Sequence, residues 1–288
     1  MIFGRRRFTR GNHGDSARNG VEVPWSQSYR DRRWQFTAAS LDDLELMARF
    51  RDGGPLPSGY GKGLDERCVE YPWVLSRLEP GSARVLDAGS TLNYRQILDQ
   101  PIWRDTRLHI VTLAPEHQAF WDRGISYLYE DLRELPMSDG VYDTVVSIST
   151  LEHVGMDNRE FTGRSMDAEP CPRGHLRAIA ELRRVLEPGG TLLATVPFGR
   201  PLDLGTARVF DQAQVDEMVD AFDPKTAACC FFRYTDRGWQ TALSEECTDC
   251  EYVPWVALPP DQRPAAFPVQ ADGAAAARAV ACLELTTA

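Results

Sequence analysis

Val85-Leu86-Asp87-Ala88-Gly89-Ser90-Thr91 is the stretch on which the reading of this chain turns. A short apolar run closed by glycine reads as a buried strand that ends in a sharp turn. An Asp-x-Gly ending lets the backbone approach a ligand at the strand's carboxyl edge, where open α/β sheets hold cofactors. Taken alone, the stretch reads equally well as a tight turn after a buried strand with no ligand.

Working outward, apolar runs alternate with helical patterns. Leu108 to Leu113, Ile125 to Tyr129 and Tyr142 to Ile148 read as strands two to four. A helix carrying Ala178, Leu182, Val185 and Leu186 is stopped by Pro188-Gly189-Gly190, and Thr191 to Val196 follows as strand five. Asp211 caps a helix with Val215, Met218, Val219 and Phe222, before strands at Cys229–Tyr234 and Ala279–Leu285. Strands alternating with helices predict a mostly parallel sheet covered on both faces.

Upstream, Ser40 and Asp43 predict a capped helix that ends at Gly53-Gly54-Pro55, and a second helical pattern runs to about Leu78. The predicted organisation is a flexible basic arm over 1–35, a helical cap or lid over 36–80, and an α/β domain over 81–288 with an irregular insert at about 236–275.

The net charge of -10 and pI near 5.1 argue against nucleic acid as a partner. The exception is the cluster Arg5, Arg6, Arg7 and Arg10, read as a solvated arm. No run approaches the ~18 apolar residues of a membrane span, and no secretory signal is evident, so a cytoplasmic protein without a membrane partner is expected. Seven cysteines without regular spacing agree. Cys247 and Cys250 form a CxxC with Cys229-Cys230 upstream, but the paired CxxC pattern of a zinc site is absent.

Three further segments fall at regular intervals: Asp131-Leu132 with Leu135-Pro136-Met137; Tyr142-Asp143-Thr144-Val145-Val146-Ser147 leading to Leu151-Glu152-His153-Val154; and Leu182 to Leu192 leading to Thr195-Val196-Pro197-Phe198-Gly199. In this order they resemble the class I S-adenosylmethionine-dependent methyltransferases, especially the small-molecule group. The resemblance covers about residues 84–235 and is most specific over 131–199. It implies a Rossmann-like, doubly wound α/β sheet of seven strands in the order 3-2-1-4-5-7-6, the last antiparallel, with the N-terminal helices as decoration. The implied cofactor is S-adenosyl-L-methionine. Asp87, Gly89 and Ser90 would line its methionine end, Asp131 would bond the adenine amino group with Leu132 beside the ring, and Ser149 and Thr150 would face the sulfonium.

Two positions depart from the family pattern. Ser90 to Asn93 replace the later glycines of the loop, and Thr112 stands where an acidic residue grips the ribose, with Glu116 a substitute one helical turn later. No metal is implied, because Ser149 occupies the position of the extra glutamate that binds magnesium in relatives of the ubiquinone pathway.

Methyl transfer is an in-line displacement, for which the protein supplies alignment and, for a hydroxyl acceptor, a base. His153 and Glu152 are the candidate catalytic residues, with a purely structural role in the strand-to-helix turn as the competing reading. His175 is either a second cleft residue or a helix-start residue. Trp34, Tyr60, Tyr71, Trp73, Trp239, Tyr252 and Trp255, beside Arg164, Arg173 and Arg200, either shape an acceptor pocket or pack decorations onto the core. The expected function is methylation of a small molecule, such as a sugar or secondary-metabolite hydroxyl, with a homodimer left open. The alternatives are a methyltransferase-fold binding or scaffold protein without activity, and a Rossmann enzyme using the cofactor or a dinucleotide for another reaction, the dinucleotide being disfavoured by the missing Gly-x-Gly-x-x-Gly.

Overall fold

The computed structural model describes residues 23–79, 81, 84–116, 118–165, 170–254 and 269–288. Its elements are α1 (Gln27–Asp42), α2 (Leu44–Asp52), α3 (Arg67–Leu75), β1 (Arg84–Ala88), α4 (Arg95–Leu98), β2 (Arg107–Thr112), β3 (Ser126–Tyr129), β4 (Tyr142–Ile148), α5 (Arg159–Thr162), α6 (Gly174–Val185), β5 (Leu186–Pro197), β6 (Leu202–Asp203), β7 (Arg208–Val209), α7 (Gln212–Phe222), β8 (Thr226–Thr235), β9 (Gly238–Ala242) and β10 (Ala279–Thr286).

Eight strands form one sheet in the order β3-β2-β1-β4-β5-β10-β8-β9. The first five are parallel, and β10 runs antiparallel between β5 and β8. This is the expected arrangement plus one strand. The added strand, β9, comes from the segment read as an irregular insert: Thr235 pairs with Gly238 in a tight hairpin that places Trp239 in the core.

Side chains alternate between the two faces of the sheet. Val85, Val146, Ile148, Leu193, Val280 and Cys282 enter one core, while Leu86, Val145, Leu192, Ala194, Ala281 and Leu283 enter the other. Helices α6 and α7 cover the second face. The first is covered from the N-terminal side, where Tyr29, Phe50, Tyr71 and Trp73 pack against the strands. The connections from β1 to β2 and β2 to β3 hold only α4 and single 3-10 turns, so α1 to α3 take the place of full crossover helices.

The N-terminal segment differs from the sequence reading in two ways. Helix α1 starts at Gln27, inside the expected arm, because Tyr29 and Arg33 anchor it on buried Asp65: both side chains reach the Asp65 carboxylate at 3.0 Å. Ser40 lies within α1 and donates to the Phe36 carbonyl, so Asp43 alone caps α2 by accepting from the Leu46 amide. Residues Arg5, Arg6, Arg7 and Arg10 lie outside the described residues.

Candidate active site

A cavity of about 750 Å³ opens at the carboxyl ends of β1 to β4, between them and α3. That volume suits a cofactor and a small partner together. Gly89, Ser90, Thr112, Asp131, Leu132, Ser149, Thr150 and His153 all stand on its wall. Asp87 and Glu152, also expected at the site, do not.

Asp87 is fully buried behind the loop it was expected to serve. Its carboxylate accepts from the amides of Thr91 (3.1 Å) and Leu92 (2.8 Å), folding residues 87–92 into a closed turn. Burial pushes this carboxyl up to about 7, against those hydrogen bonds. Gly89 follows at φ +133°, where any side chain would strike Thr150. Ser90 sits at φ 62°, a left-handed conformation that glycine adopts more cheaply. Its hydroxyl is buried and has no hydrogen-bond partner. The loop is therefore a closed turn on the cavity wall with one buried, unpartnered hydroxyl.

At the β2 edge, Thr112 lines the cavity and the chain continues as an irregular loop, without the helix that would have carried Glu116 a turn further. The loop still brings Glu116 to the wall, where its Oε2 accepts from Asn93 Nδ2 at 3.0 Å. Asn93 is buried, and the Tyr127 hydroxyl donates to its Oδ1 at 2.8 Å, fixing the amide's orientation. After β3, Arg133 grips Asp131 through its backbone amide (2.8 Å) and guanidinium (2.6 Å). Burial raises the Asp131 carboxyl, but these bonds outweigh it and leave it below its ordinary value.

At the β4 end, Ser149 adopts φ 38° and its hydroxyl donates to Glu70 of α3 at 2.5 Å. The Thr195 hydroxyl donates to the same Glu70 oxygen at 2.6 Å, and the other oxygen holds Arg67 at 2.6 Å. Glu70 is thus a buried hub that binds α3 to the ends of β4 and β5 and presents Arg67 and Tyr71 to the cavity. The sequence reading marked residues 36–80 as a helical cap or lid. The structure shows Tyr60, Val69 and Trp73 buried, with the segment forming a wall of the site.

His153 lines the cavity in the turn after β4. Its Nδ1 lies 2.6 Å from the Thr206 carbonyl oxygen, which can only accept, so Nδ1 carries the proton. Burial lowers the His153 pKa and favours the neutral ring. Glu152 Oε1 lies 4.0 Å from His153 Nε2, and Glu152 Oε2 has no hydrogen-bond partner. Burial pushes the Glu152 carboxyl up to about 8.

Other expected groups are engaged elsewhere. His175 is buried at the start of α6, 3.2 Å from the Arg208 guanidinium, and burial lowers it to about 4. Arg173 pairs with Glu217 and Arg200 with Glu251, while Arg164 reaches the Leu113 carbonyl. Of the aromatic set, only Tyr71 reaches the cavity wall among the described residues; Tyr60, Trp73 and Trp239 are core, and Trp255 lies outside those residues. Arg67, Tyr94 and Met156 are wall residues that the sequence reading did not single out.

Residues 105–194 match the family model described as a methyltransferase domain. The matched stretch runs from the start of β2 into β5 and takes in Thr112, Asp131, Ser149 and His153 of the cavity wall. S-adenosylmethionine is the cofactor that such a domain implies, and the residues present fit it: a glycine turn with a spare buried hydroxyl, a carboxylate at the β3 end and a cavity of sufficient volume. Three solved structures show a likeness. One is a 1,6-didemethyltoxoflavin-N1-methyltransferase from Burkholderia thailandensis with bound 1,6-didemethyltoxoflavin and S-adenosylhomocysteine (14% identity, 93% of this chain, 94% of that chain, TM-score 0.41). The second is an S-adenosylmethionine-dependent methyltransferase from Thermotoga maritima (14%, 88%, 99%, TM-score 0.41). The third is the [4+2]-cyclase SpnF (19%, 70%, 74%, TM-score 0.42). No curated protein matches the chain in sequence. Among the described residues, no helix is long and apolar enough to cross a membrane.

Proposed function

We propose that this chain transfers a methyl group from S-adenosylmethionine to a hydroxyl of a small molecule, of the sugar or secondary-metabolite class, as a step in small-molecule biosynthesis. The observation that carries the reading is the gathering of Gly89, Ser90, Asp131 and His153 around one cavity. Bound S-adenosylmethionine supplies an electrophilic methyl on a sulfonium sulfur, so the protein needs no metal or covalent intermediate for this reaction.

Each wall then has a task. The Gly89-Ser90 turn and the spare Ser90 hydroxyl hold the amino-acid end of the cofactor, and Asp87 keeps that turn closed from behind. Asp131, pinned by Arg133, accepts from the adenine amino group, and Leu132 packs beside the ring. Glu116, pinned by Asn93, accepts from the ribose hydroxyls in place of the acid missing at Thr112. Ser149 faces the sulfonium side, next to His153.

His153 is the base. With Nδ1 committed to Thr206, its lone pair is on Nε2, and Nε2 would take the proton of the acceptor hydroxyl. Glu152, 4.0 Å from Nε2, then stabilises the imidazolium once ionised, which makes it a positioning and electrostatic residue. Incubation with cofactor labelled on the methyl group and a panel of hydroxylated sugars and aromatic metabolites tests the reading. It expects label on an oxygen of one acceptor class, lost in His153→Gln. Label arriving equally fast in that variant would remove His153 as base.

A further inference from the structure

Cys247 and Cys250 play no part in the methyl-transfer reading, yet they sit in a defined local geometry. The Cys250 amide donates to the Cys247 carbonyl at 3.0 Å, closing a four-residue turn. Such a turn brings its end Cα atoms within about 7 Å, and a disulfide requires roughly 4.4–6.8 Å. The turn is firmly seated. The Cys247 amide donates to the Ser244 carbonyl at 2.9 Å, and the Arg200 amide donates to the Cys250 carbonyl at 2.9 Å. Gly199 passes so close to the Cys250 carbonyl that no side chain fits there.

The two sulfurs are not equivalent. The Cys247 thiol neighbours the Cys250 thiol, and the Arg233 guanidinium of β8 reaches the same turn, 3.8 Å from the Asp249 carboxylate. Together they draw Cys250 down to about 7, against its burial, while Cys247 is raised. Cys250 is 6% exposed and Cys247 is 0% exposed. The residue whose thiol is drawn down is thus also the one that keeps some exposure. The other upstream cysteines do not join this pair: Cys230 stands opposite Cys282 across β8 and β10.

We propose that Cys247 and Cys250 form a dithiol–disulfide redox site, oxidised by low-molecular-weight disulfides. The Cys250 thiolate attacks one sulfur of the disulfide RSSR, forming a mixed disulfide and expelling one thiolate. Cys247 loses its proton to that thiolate and attacks the Cys250 sulfur, expelling the second. The protein loses two electrons and two protons, and RSSR becomes two RSH. The site is independent of methyl transfer, and its test needs neither cofactor nor acceptor.

The test is equilibration of the native protein in glutathione buffers from fully reducing to a large excess of glutathione disulfide, followed by alkylation and mass spectrometry of non-reduced peptides. The expected product is one Cys247–Cys250 crosslink, with Cys68 and Cys282 still alkylated after denaturation. Cys247→Ser should stop at a glutathione adduct on Cys250, and Cys250→Ser should leave Cys247 a free thiol. Cys247 and Cys250 recovered as free thiols from the wild-type protein at the oxidising limit would overturn the proposal. Oxidation confined to Cys230 and Cys282 would overturn it equally. The wild-type measurement decides the matter even if a variant fails to fold.

Discussion

The Nδ1 atom of His153 lies 2.6 Å from the carbonyl oxygen of Thr206, joining the turn after β4 to the loop between β6 and β7. This contact fixes the tautomer, and burial lowers the ring's pKa, so His153 is neutral over most of the neutral range. In His153→Gln, kcat for a hydroxyl acceptor should fall about 10²- to 10⁴-fold with little change in cofactor affinity. The wild-type rate should fall on acidification only below the ordinary histidine range, because the depressed pKa keeps the base unprotonated down to lower pH. Steady-state pH profiles of both proteins check this, and the variant should lose that acid limb.

Ser90 separates binding from stability. Its hydroxyl has no partner in the protein, so Ser90→Ala should leave the melting temperature almost unchanged. The same change should weaken cofactor binding about fivefold to tenfold, the worth of one hydrogen bond. Ser90→Gly should also weaken binding, yet raise stability by about 1 kcal/mol by relieving the left-handed backbone. Calorimetric titration and thermal melts of the three proteins check the contrast.

Glu116 and Asn93 act as a pair in this account, linked at 3.0 Å. Glu116→Gln should weaken S-adenosylhomocysteine binding by about tenfold or more. An analogue lacking the ribose hydroxyls should bind wild type and variant alike. Asn93→Ala should produce a similar loss by freeing the Glu116 carboxylate from its support. Equal losses for both ligands would place Glu116 away from the ribose.

Three buried carboxyls make the fold sensitive to alkali. Burial raises Asp87 to about 7 and Glu66 and Glu152 to about 8. A raised carboxyl binds its proton more tightly in the folded state than in the unfolded one. Its contribution to stability is therefore full below the ordinary carboxylate value and is lost as pH rises towards the folded value. Stability should fall from about pH 5 to about pH 8, with each group contributing a slope on the order of 1 kcal/mol per pH unit at most. Denaturant melts across that range check the sign, and Glu152→Gln should flatten the upper part of the curve.

The sheet was legible because its strands are apolar runs closed by turn residues, as at Val85–Gly89 and Tyr142–Ile148, and their order followed from the family resemblance. Helix α1 was not, because the face it buries includes Tyr29, Arg33, Thr37 and Ser40, which carry little apolar periodicity. The wall formed by Arg67 and Tyr71 depends on Glu70 reaching Ser149 and Thr195, contacts separated by 79 and 125 residues. No local pattern encodes such a contact. Asp87 shows the opposite limit. Its motif reads as a turn closing a strand, which the structure shows, but the side chain points back to the amides of Thr91 and Leu92, a direction the motif does not encode.

As proposed, the cavity at the ends of β1 to β4 is a working cofactor site despite the replaced loop glycines and Thr112. Calorimetric titration of S-adenosylmethionine and S-adenosylhomocysteine into the wild-type protein and Asp131→Ala tests it most directly. The account predicts saturable binding of both ligands to the wild type and a loss of about tenfold or more in the variant. No binding of either ligand to the folded wild-type protein, or undiminished binding to Asp131→Ala, would contradict it.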